Sequence, residues 1–222
     1  MLNHFEEISS FPLFNGISSN DLEMMFKCFG IYKRKYLKDE IIFLECQDIK
    51  FIGVIIHGKV HMIKEDLDGN NSILVYMSNG DIIGESFACG IDTISKVSFI
   101  ANKDTEILFI PFHKIVNMCK MTCSFHHKLI ENMLKVISTK NIMLINKIEI
   151  VSKKKLRDKI MSYLQLQKSL SNDEYFKIPL GRTELADYLC SDRSALTREL
   201  YNMKREGLIE FEKNIFKINI DF

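Results

Sequence analysis

The hydrophobic positions along the chain change their period twice. From Ile31 to about Pro111 short apolar runs alternate with turn signals: "EIIFLEC", "FIGVIIHGKVHMI", "SILVYM", "DIIGE", "KVSFIA" and "EILFI" are punctuated by Asp68-Gly69, Asn79-Gly80 and Asn102-Lys103-Asp104. Many strands at short intervals, with Gly and Asn/Asp turns, predict an all-β sandwich, roll or barrel. Ahead of them "SSNDLEMMFKCF" offers Ser19 or Asn20 as a cap and predicts a short helix packed on the entry to the sheet.

From about Phe112 to Val151 the period becomes helical. Ile130, Leu134, Ile137, Asn141, Leu144, Ile148 and Val151 follow a four-three spacing, the heptad seam of a coiled coil with one polar residue at a core position. Beside it runs a second stripe of Leu129, Met133, Val136, Met143 and Ile150. The economical reading is a long helix with one face on its own β-domain and the other on a symmetry mate. A buried Asn141 then sets register and dimeric state at some cost in stability. The competing reading is a monomeric core helix with Asn141 facing water.

After Val151 comes the basic run "SKKKLRDKI", then a compact α region with a β tail. In "RTELADYL" Leu185, Ala186 and Leu189 form one face, and Glu184 in the first turn suits the helix dipole. "CSD" breaks the helix. Asp192 is placed to cap "RSALTRELYNMKREG", in which Ala195, Leu196, Leu200 and Met203 face inward and Arg193, Ser194, Thr197 and Arg198 face out; Gly207 ends it. Two helices joined by a short turn, the second opening with arginines, predict a helix-turn-helix whose second helix enters the major groove N-terminus first. "LIEFEKNIFKIN" then predicts two short strands around Lys213-Asn214, a wing. A surface helix with solvated arginines is the plainer alternative.

Composition narrows the function classes. The chain has 222 residues, 46% of them hydrophobic, which suits one large domain or two modest ones with an ordinary core. Net charge is only +1, so any nucleic-acid role rests on a local patch. Residues 152–222 carry 14 Lys/Arg against 11 Asp/Glu and residues 1–151 carry 16 against 18, so the positive end is C-terminal. With no signal-peptide pattern and no run of about 18 apolar residues, a soluble, cytoplasmic protein with no membrane partner is expected. Six cysteines, Cys28, Cys46, Cys89, Cys119, Cys123 and Cys190, form no C-x-x-C pair and read as free thiols rather than a zinc ribbon. There is no nucleophile elbow, P-loop, H-E-x-x-H or paired-carboxylate signature, so an enzyme is not expected.

"RTELADYLCSDRSALTRELYNMKREGLI" closely resembles the DNA-binding motif of the cyclic-AMP receptor protein and fumarate-nitrate-reductase regulator (CRP/FNR) family of bacterial transcription factors. "FIGVIIHGKVHMI", "GDIIGE" and "DTEILFIP" are similar to its β-roll segments, and "SFHHKLIENMLKVISTKN" to its dimerisation helix. The resemblance implies an α+β fold: a cyclic-nucleotide-binding-like β-roll sensor in residues 1–111, a long dimerisation helix in 112–151 and a winged helix-turn-helix in 152–222. It also implies a homodimer on a pseudo-palindromic double-stranded DNA operator, gated by a small-molecule effector, with RNA polymerase as a further partner. Carried over position by position, Arg193 and Arg198 match the base-reading arginines, with guanine O6 and N7 as the bidentate target. Ser194 stands where many relatives have glutamate, which implies a different half-site. Arg182, Thr183, Ser191 and Thr197 match phosphate-contacting positions. Cys190 occupies a turn position where glycine is common, so strain or a different bend is expected.

At the β-roll, cyclic-nucleotide-binding relatives have a Gly-Glu pair, then an arginine and a hydroxyl residue that grip the cyclic phosphate. Gly84 and Glu85, followed by Ser86, match the pair, but Ser95 and Lys96 stand at the gripping positions, and the guanidinium fork is missing. Cyclic AMP is therefore not the expected effector, and the effector is left open. The closely spaced N-terminal cysteines of iron-sulfur relatives are absent, so that cluster is not expected either. The remaining set of soft ligands is "CKMTCSFHH": Cys119, Cys123 and His126 or His127 share a helical face and provide the alternative of a metal- or thiol-redox-responsive protein. The plainer reading is buried thiols and solvated histidines, with no metal. His57 and His61 in "HGKVH" are read as packed or exposed strand histidines rather than haem ligands.

Overall fold

The computed structural model describes residues 2–65, 71–117, 124–171 and 173–219. The Asp68-Gly69 turn, Cys119 and Cys123 lie outside the described residues. The chain divides into two compact units, residues 1–139 and 140–222, with the division inside a long helix. Among the described residues no helix is long and apolar enough to cross a membrane.

The first unit opens with α1 (Leu2–Ser9), a 3-10 turn (Pro12–Phe14) and α2 (Ser19–Phe29). The cap of α2 is Ser18, one residue before the expected pair: its backbone is extended and its Oγ accepts the Asp21 N–H at 3.1 Å. Strands β1 (Tyr32–Tyr36), β2 (Ile41–Phe43), β3 (Phe51–His57), β4 (Lys59–Glu65), β5 (Asn71–Ser78) and β6 (Ile82–Ile83) follow. Next come a four-residue helix α3 (Glu85–Ala88), β7 (Ser98–Ala101) and β8 (Thr105–Pro111).

They form two four-stranded antiparallel sheets, in the orders β1-β8-β3-β6 and β2-β7-β4-β5. Side chains of both, including Val54, Ile56, Val60, Phe99 and Leu108, share one core. Strand β1, "YKRKY", carries no apolar alternation and was not expected: it is an edge strand paired only to β8, with Lys33, Arg34 and Lys35 exposed. Edge strands form by hydrogen-bonding to a neighbour, so their side chains need not bury, and charges there discourage further pairing.

Helical structure after the sheets is interrupted. Helix α4 (Phe112–Val116) ends at Asn117, whose ψ of 112° is extended, and the long helix α5 runs from Ser124 to Val151. The single helical stretch expected from Phe112 is thus two helices. In the first unit Phe125, Leu129 and Met133 of α5 are buried in the β core, each worth roughly 1.5 to 3 kcal/mol by area. Asn132, also buried, donates from Nδ2 to the carbonyls of Leu13 (3.1 Å) and Asn15 (2.7 Å), tying α5 to the N-terminal turn. The second apolar stripe breaks at Met143, which is exposed, and resumes at Ile150, which is buried in the core of the second unit.

That second unit adds α6 (Leu156–Ser169), β9 (Phe176–Lys177), α7 (Arg182–Tyr188), α8 (Arg193–Arg205), β10 (Ile209–Glu212) and β11 (Ile215–Ile218). Its sheet has the order β10-β11-β9, and its core gathers Ile160, Leu164, Leu185, Leu196, Leu200 and Phe216.

Candidate nucleic-acid interface

Helix α7 starts where the Glu184 carboxylate accepts the Gly181 N–H at 2.8 Å, satisfying a group that the helix leaves open. Leu185, Ala186 and Leu189 are buried, as the apolar spacing predicts. The chain then reverses through Cys190 at φ +50°, with the Ser191 N–H returning to the Ala186 carbonyl at 3.0 Å. A left-handed backbone on a residue with a Cβ costs about 1 kcal/mol or more. The turn is thus made by an exposed cysteine in the left-handed conformation.

Helix α8 has two unlike faces. Leu196, Leu200 and Met203 are buried, whereas Arg193, Ser194 and Arg198 are exposed. Neither arginine takes part in an ion pair among the described residues. Thr197 is half-buried and its hydroxyl donates to the Arg193 carbonyl at 2.8 Å, while Thr183 is exposed on the first turn of α7. Ser191 is half-buried, its Oγ donating weakly to the Ala186 carbonyl at 3.5 Å. Asp192 occupies the cap position with an extended backbone, but its carboxylate makes no capping hydrogen bond; only its carbonyl enters the helix, accepting from the Leu196 N–H at 2.9 Å.

Two arrangements around these helices join residues far apart in sequence. Arg157 of α6 donates from Nε to Glu199 at 2.6 Å and, as a two-pronged fork, to both carboxylate oxygens of Glu206 at 2.7 and 2.9 Å. Glu199 lies on α8 and Glu206, seven residues on, is its C-terminal cap, so the fork braces that helix against α6. The only signal in the sequence was that i, i+7 pair of acids, and it does not name the partner. Lys159 donates to the Leu189 carbonyl at 3.2 Å, meeting an open acceptor at the end of α7.

The second arrangement concerns Arg182, whose side chain turns toward the wing. Its Nη2 donates to the Lys213 carbonyl at the wing tip (2.5 Å), and its guanidinium carbon lies 5.1 Å from the ring centres of both Phe211 and Phe216. Behind α7, the Tyr163 ring packs on Tyr188 with centroids 5.2 Å apart. The Tyr163 hydroxyl is buried without a hydrogen-bond partner among the described residues, and burial pushes its pKa up.

At the β-roll the five residues expected at the sensor site split into two kinds. Gly84 has φ +77° and a Cβ there would lie 2.9 Å from the Phe43 ring and 3.2 Å from the Phe51 carbonyl, so glycine is required by space and by backbone. Glu85 is buried at the start of α3 and Ser86 is exposed. Ser95 is completely buried, its hydroxyl donating to the Val97 carbonyl at 2.6 Å, and its backbone is pinned between the Gln47 carbonyl and the Cys46 N–H. Lys96 is exposed and paired with Asp92 at 2.8 Å. These five residues include no guanidinium, and the ammonium of Lys96 is paired to a carboxylate.

His126 is buried, stacked on Phe125, with Nε2 3.1 Å from the Lys114 carbonyl. That contact places it in the core rather than on a surface shared with His127. His61 stands edge-on to Tyr76, with ring centres 4.7 Å apart. Among the described residues no three His, Cys, Asp or Glu side chains group as metal ligands. Of the described cysteines, Cys28, Cys46 and Cys190 are exposed, and burial pushes the Cys89 thiol up to about 11.

Family models match in two blocks: the cyclic nucleotide-binding domain over residues 33–122 and the Crp-like helix-turn-helix domain over residues 158–221. A probable transcriptional activator of Rhizobium leguminosarum bv. viciae is 22% identical over 176 residues, covering 77% of this chain and 70% of that protein. Among solved structures, the c-di-GMP-responsive global regulator CLP of Xanthomonas campestris aligns with a TM-score of 0.66 at 16% identity, over 92% of this chain and all of that one. A CooA variant from Carboxydothermus hydrogenoformans aligns with a TM-score of 0.66 at 18% identity, over 93% of this chain and 88% of that one. At these identities the structural likeness speaks for the fold.

Proposed function

The chain belongs to the CRP/FNR family of transcription regulators, with a DNA-binding helix-turn-helix and a cyclic-nucleotide-binding-type domain, and from that premise we propose that it is a cytoplasmic homodimer reading a pseudo-palindromic operator under control of an effector at the β-roll. The observation that carries the reading is the outer face of α8. Its first six residues hold two exposed arginines and an exposed serine on a helix whose other side is buried. Arg193 and Arg198 read base edges, guanine being the natural target, and Ser194 shifts the half-site away from one that rewards glutamate. Thr183, Ser191 and Thr197 hold register on phosphates.

The dimer is supported by α5. Leu134, Leu144 and Ile148 of the heptad seam are 62%, 49% and 64% exposed in the single chain, Ile130 and Ile137 are half-buried, and Asn141 is exposed among them. A contiguous apolar seam of this kind is costly in water and is covered when two copies pair. Pairing sets two copies of α8 about 34 Å apart, on successive major-groove faces. The effector acts near Gly84, Glu85, Ser86, Ser95 and Lys96. It biases hinge geometry at Val151 and Ser152 only by as much as its affinity differs between the two states. The buried Ser95 and the paired Lys96 favour a ligand held without a phosphate fork, so cyclic AMP is not the effector. RNA polymerase is the partner through which an activating dimer would work.

Selection of bound duplexes from a random pool, with and without small-molecule extract, tests the reading. Two-fold symmetric half-sites spaced by one helical turn are expected, with guanines at the positions read by Arg193 and Arg198. Recovery of no enriched sequence, or of a single asymmetric site, would sink it. Cyclic AMP and cyclic di-GMP, the latter named for the Xanthomonas regulator, are titrated in parallel, and a shift in operator affinity with cyclic AMP would overturn the sensor reading.

A further inference from the structure

At the base of the wing an aromatic pair receives the inward-folded guanidinium of Arg182. Phe211 of β10 and Phe216 of β11 face each other across the hairpin and stack, with ring centres 5.4 Å apart and planes within 27°. Arg182, the first residue of α7, lies against both rings. Lys204 of α8 lies 5.0 Å from the Phe211 ring and donates to the Phe211 carbonyl at 3.1 Å. Tyr201 of α8 meets the same ring edge-on at 5.5 Å. The wing tip is held from two sides: the Ile178 N–H donates to the Asn214 carbonyl at 2.9 Å, and Arg182 donates to the Lys213 carbonyl. Lys213 itself is left-handed at φ +50°, a conformation that needs support from its surroundings.

The geometry points to Arg182 as a positioning residue: a clamp that holds the wing against the first helix of the helix-turn-helix, and not a phosphate contact. Three features favour the clamp. Nη1 is buried with no hydrogen-bond partner among the described residues, so this edge of the guanidinium faces protein rather than solvent. A flat, delocalised cation can lie on two rings and still donate in its own plane, which an ammonium cannot do. Burial also lowers the guanidinium pKa, yet it stays charged at any physiological pH. A wing held in place before binding spares the complex the entropy of ordering it on the duplex. The clamp matters to DNA binding only if the helix-turn-helix reading is right, so its test includes a measurement that needs no DNA.

The full-length protein is compared with Arg182→Lys and Arg182→Met, the latter able to pack on the rings without charge. Hydrogen exchange of the β10 and β11 amides is followed in the free protein, and affinity for the selected duplex is measured across a salt series. For the clamp, both variants exchange the wing amides at least about tenfold faster while the Leu196 and Leu200 amides of α8 keep their protection. Both bind the duplex about tenfold more weakly with the salt dependence of the parent, and lysine does not restore affinity. The clamp is overturned if wing exchange is unchanged while the log-log salt slope of Arg182→Met falls by about 0.9 per lost contact, or if lysine restores affinity. It is equally overturned if α8 loses protection together with the wing, which would make Arg182 a general stabiliser. If the parent protein binds no duplex, the proposed function fails while the exchange comparison still decides the clamp.

Discussion

On α8, Arg193 and Arg198 are exposed and form no ion pair among the described residues, whereas at the β-roll Lys96 is paired to Asp92 and Ser95 is sealed against the Val97 backbone. Both places are where this family meets an anion. One keeps its arginines exposed and outside ion pairs among the described residues, which suits a surface that meets phosphates and guanines. The other has satisfied its polar groups internally, so an arriving phosphate would have to break existing interactions without gaining a fork. The contrast teaches that two polar surfaces of one chain can differ in how far their charges are already partnered within the protein.

The most direct way to break this comparison is Arg198→Ala, expected to cost roughly 1 to 3 kcal/mol on the selected operator while non-specific binding at low salt stays nearly intact. Equal losses on specific and random duplex would mean that the arginine only screens charge. Next in size is Tyr163→Phe, which removes a buried hydroxyl with no hydrogen-bond partner among the described residues and should raise stability by up to about 1 kcal/mol in denaturant melts. A loss instead would reveal that the hydroxyl is satisfied in solution.

Cys190→Gly relieves the left-handed turn and should add about 0.5 kcal/mol, the strain relief exceeding the entropy cost of glycine. Thermal melts check it, and a lower melting temperature would show that the cysteine side chain packs. The smallest effect is expected at the sensor. The Lys96 ammonium beside Asp92 holds that carboxyl below its usual range. Its contribution is therefore present above the ordinary carboxylate pKa and fades as pH falls through the depressed value. Both partners are exposed, so Asp92→Asn should leave the melting temperature unchanged at neutral pH, and the difference between variant and parent should stay flat down to mild acid. A marked drop would mean that the pair is structural and that the sensor comparison needs another explanation.

Much of this molecule was legible from local pattern. The order of strands and helices, the wing turn at Lys213-Asn214 and the two faces of α8 followed from spacing, because periodicity is a property of neighbouring residues. Strand β1 escaped notice because an edge strand is defined by its hydrogen-bonding partner β8 rather than by its own alternation. The break between α4 and α5 also left no clear mark in the pattern.

What the sequence by itself determined is most of the elements, their order and the residue types that each face carries. What only the tertiary structure decided is where the charges go. Arg182, expected at a phosphate, folds onto Phe211 and Phe216, and Arg157 reaches Glu199 and Glu206 some forty to fifty residues away. The second stripe of α5 buries Leu129 and Met133 but leaves Met143 in solvent. The physical reason is common to all three. A long flexible side chain chooses among partners by distance in space, and that distance exists only once the helices and the wing have packed.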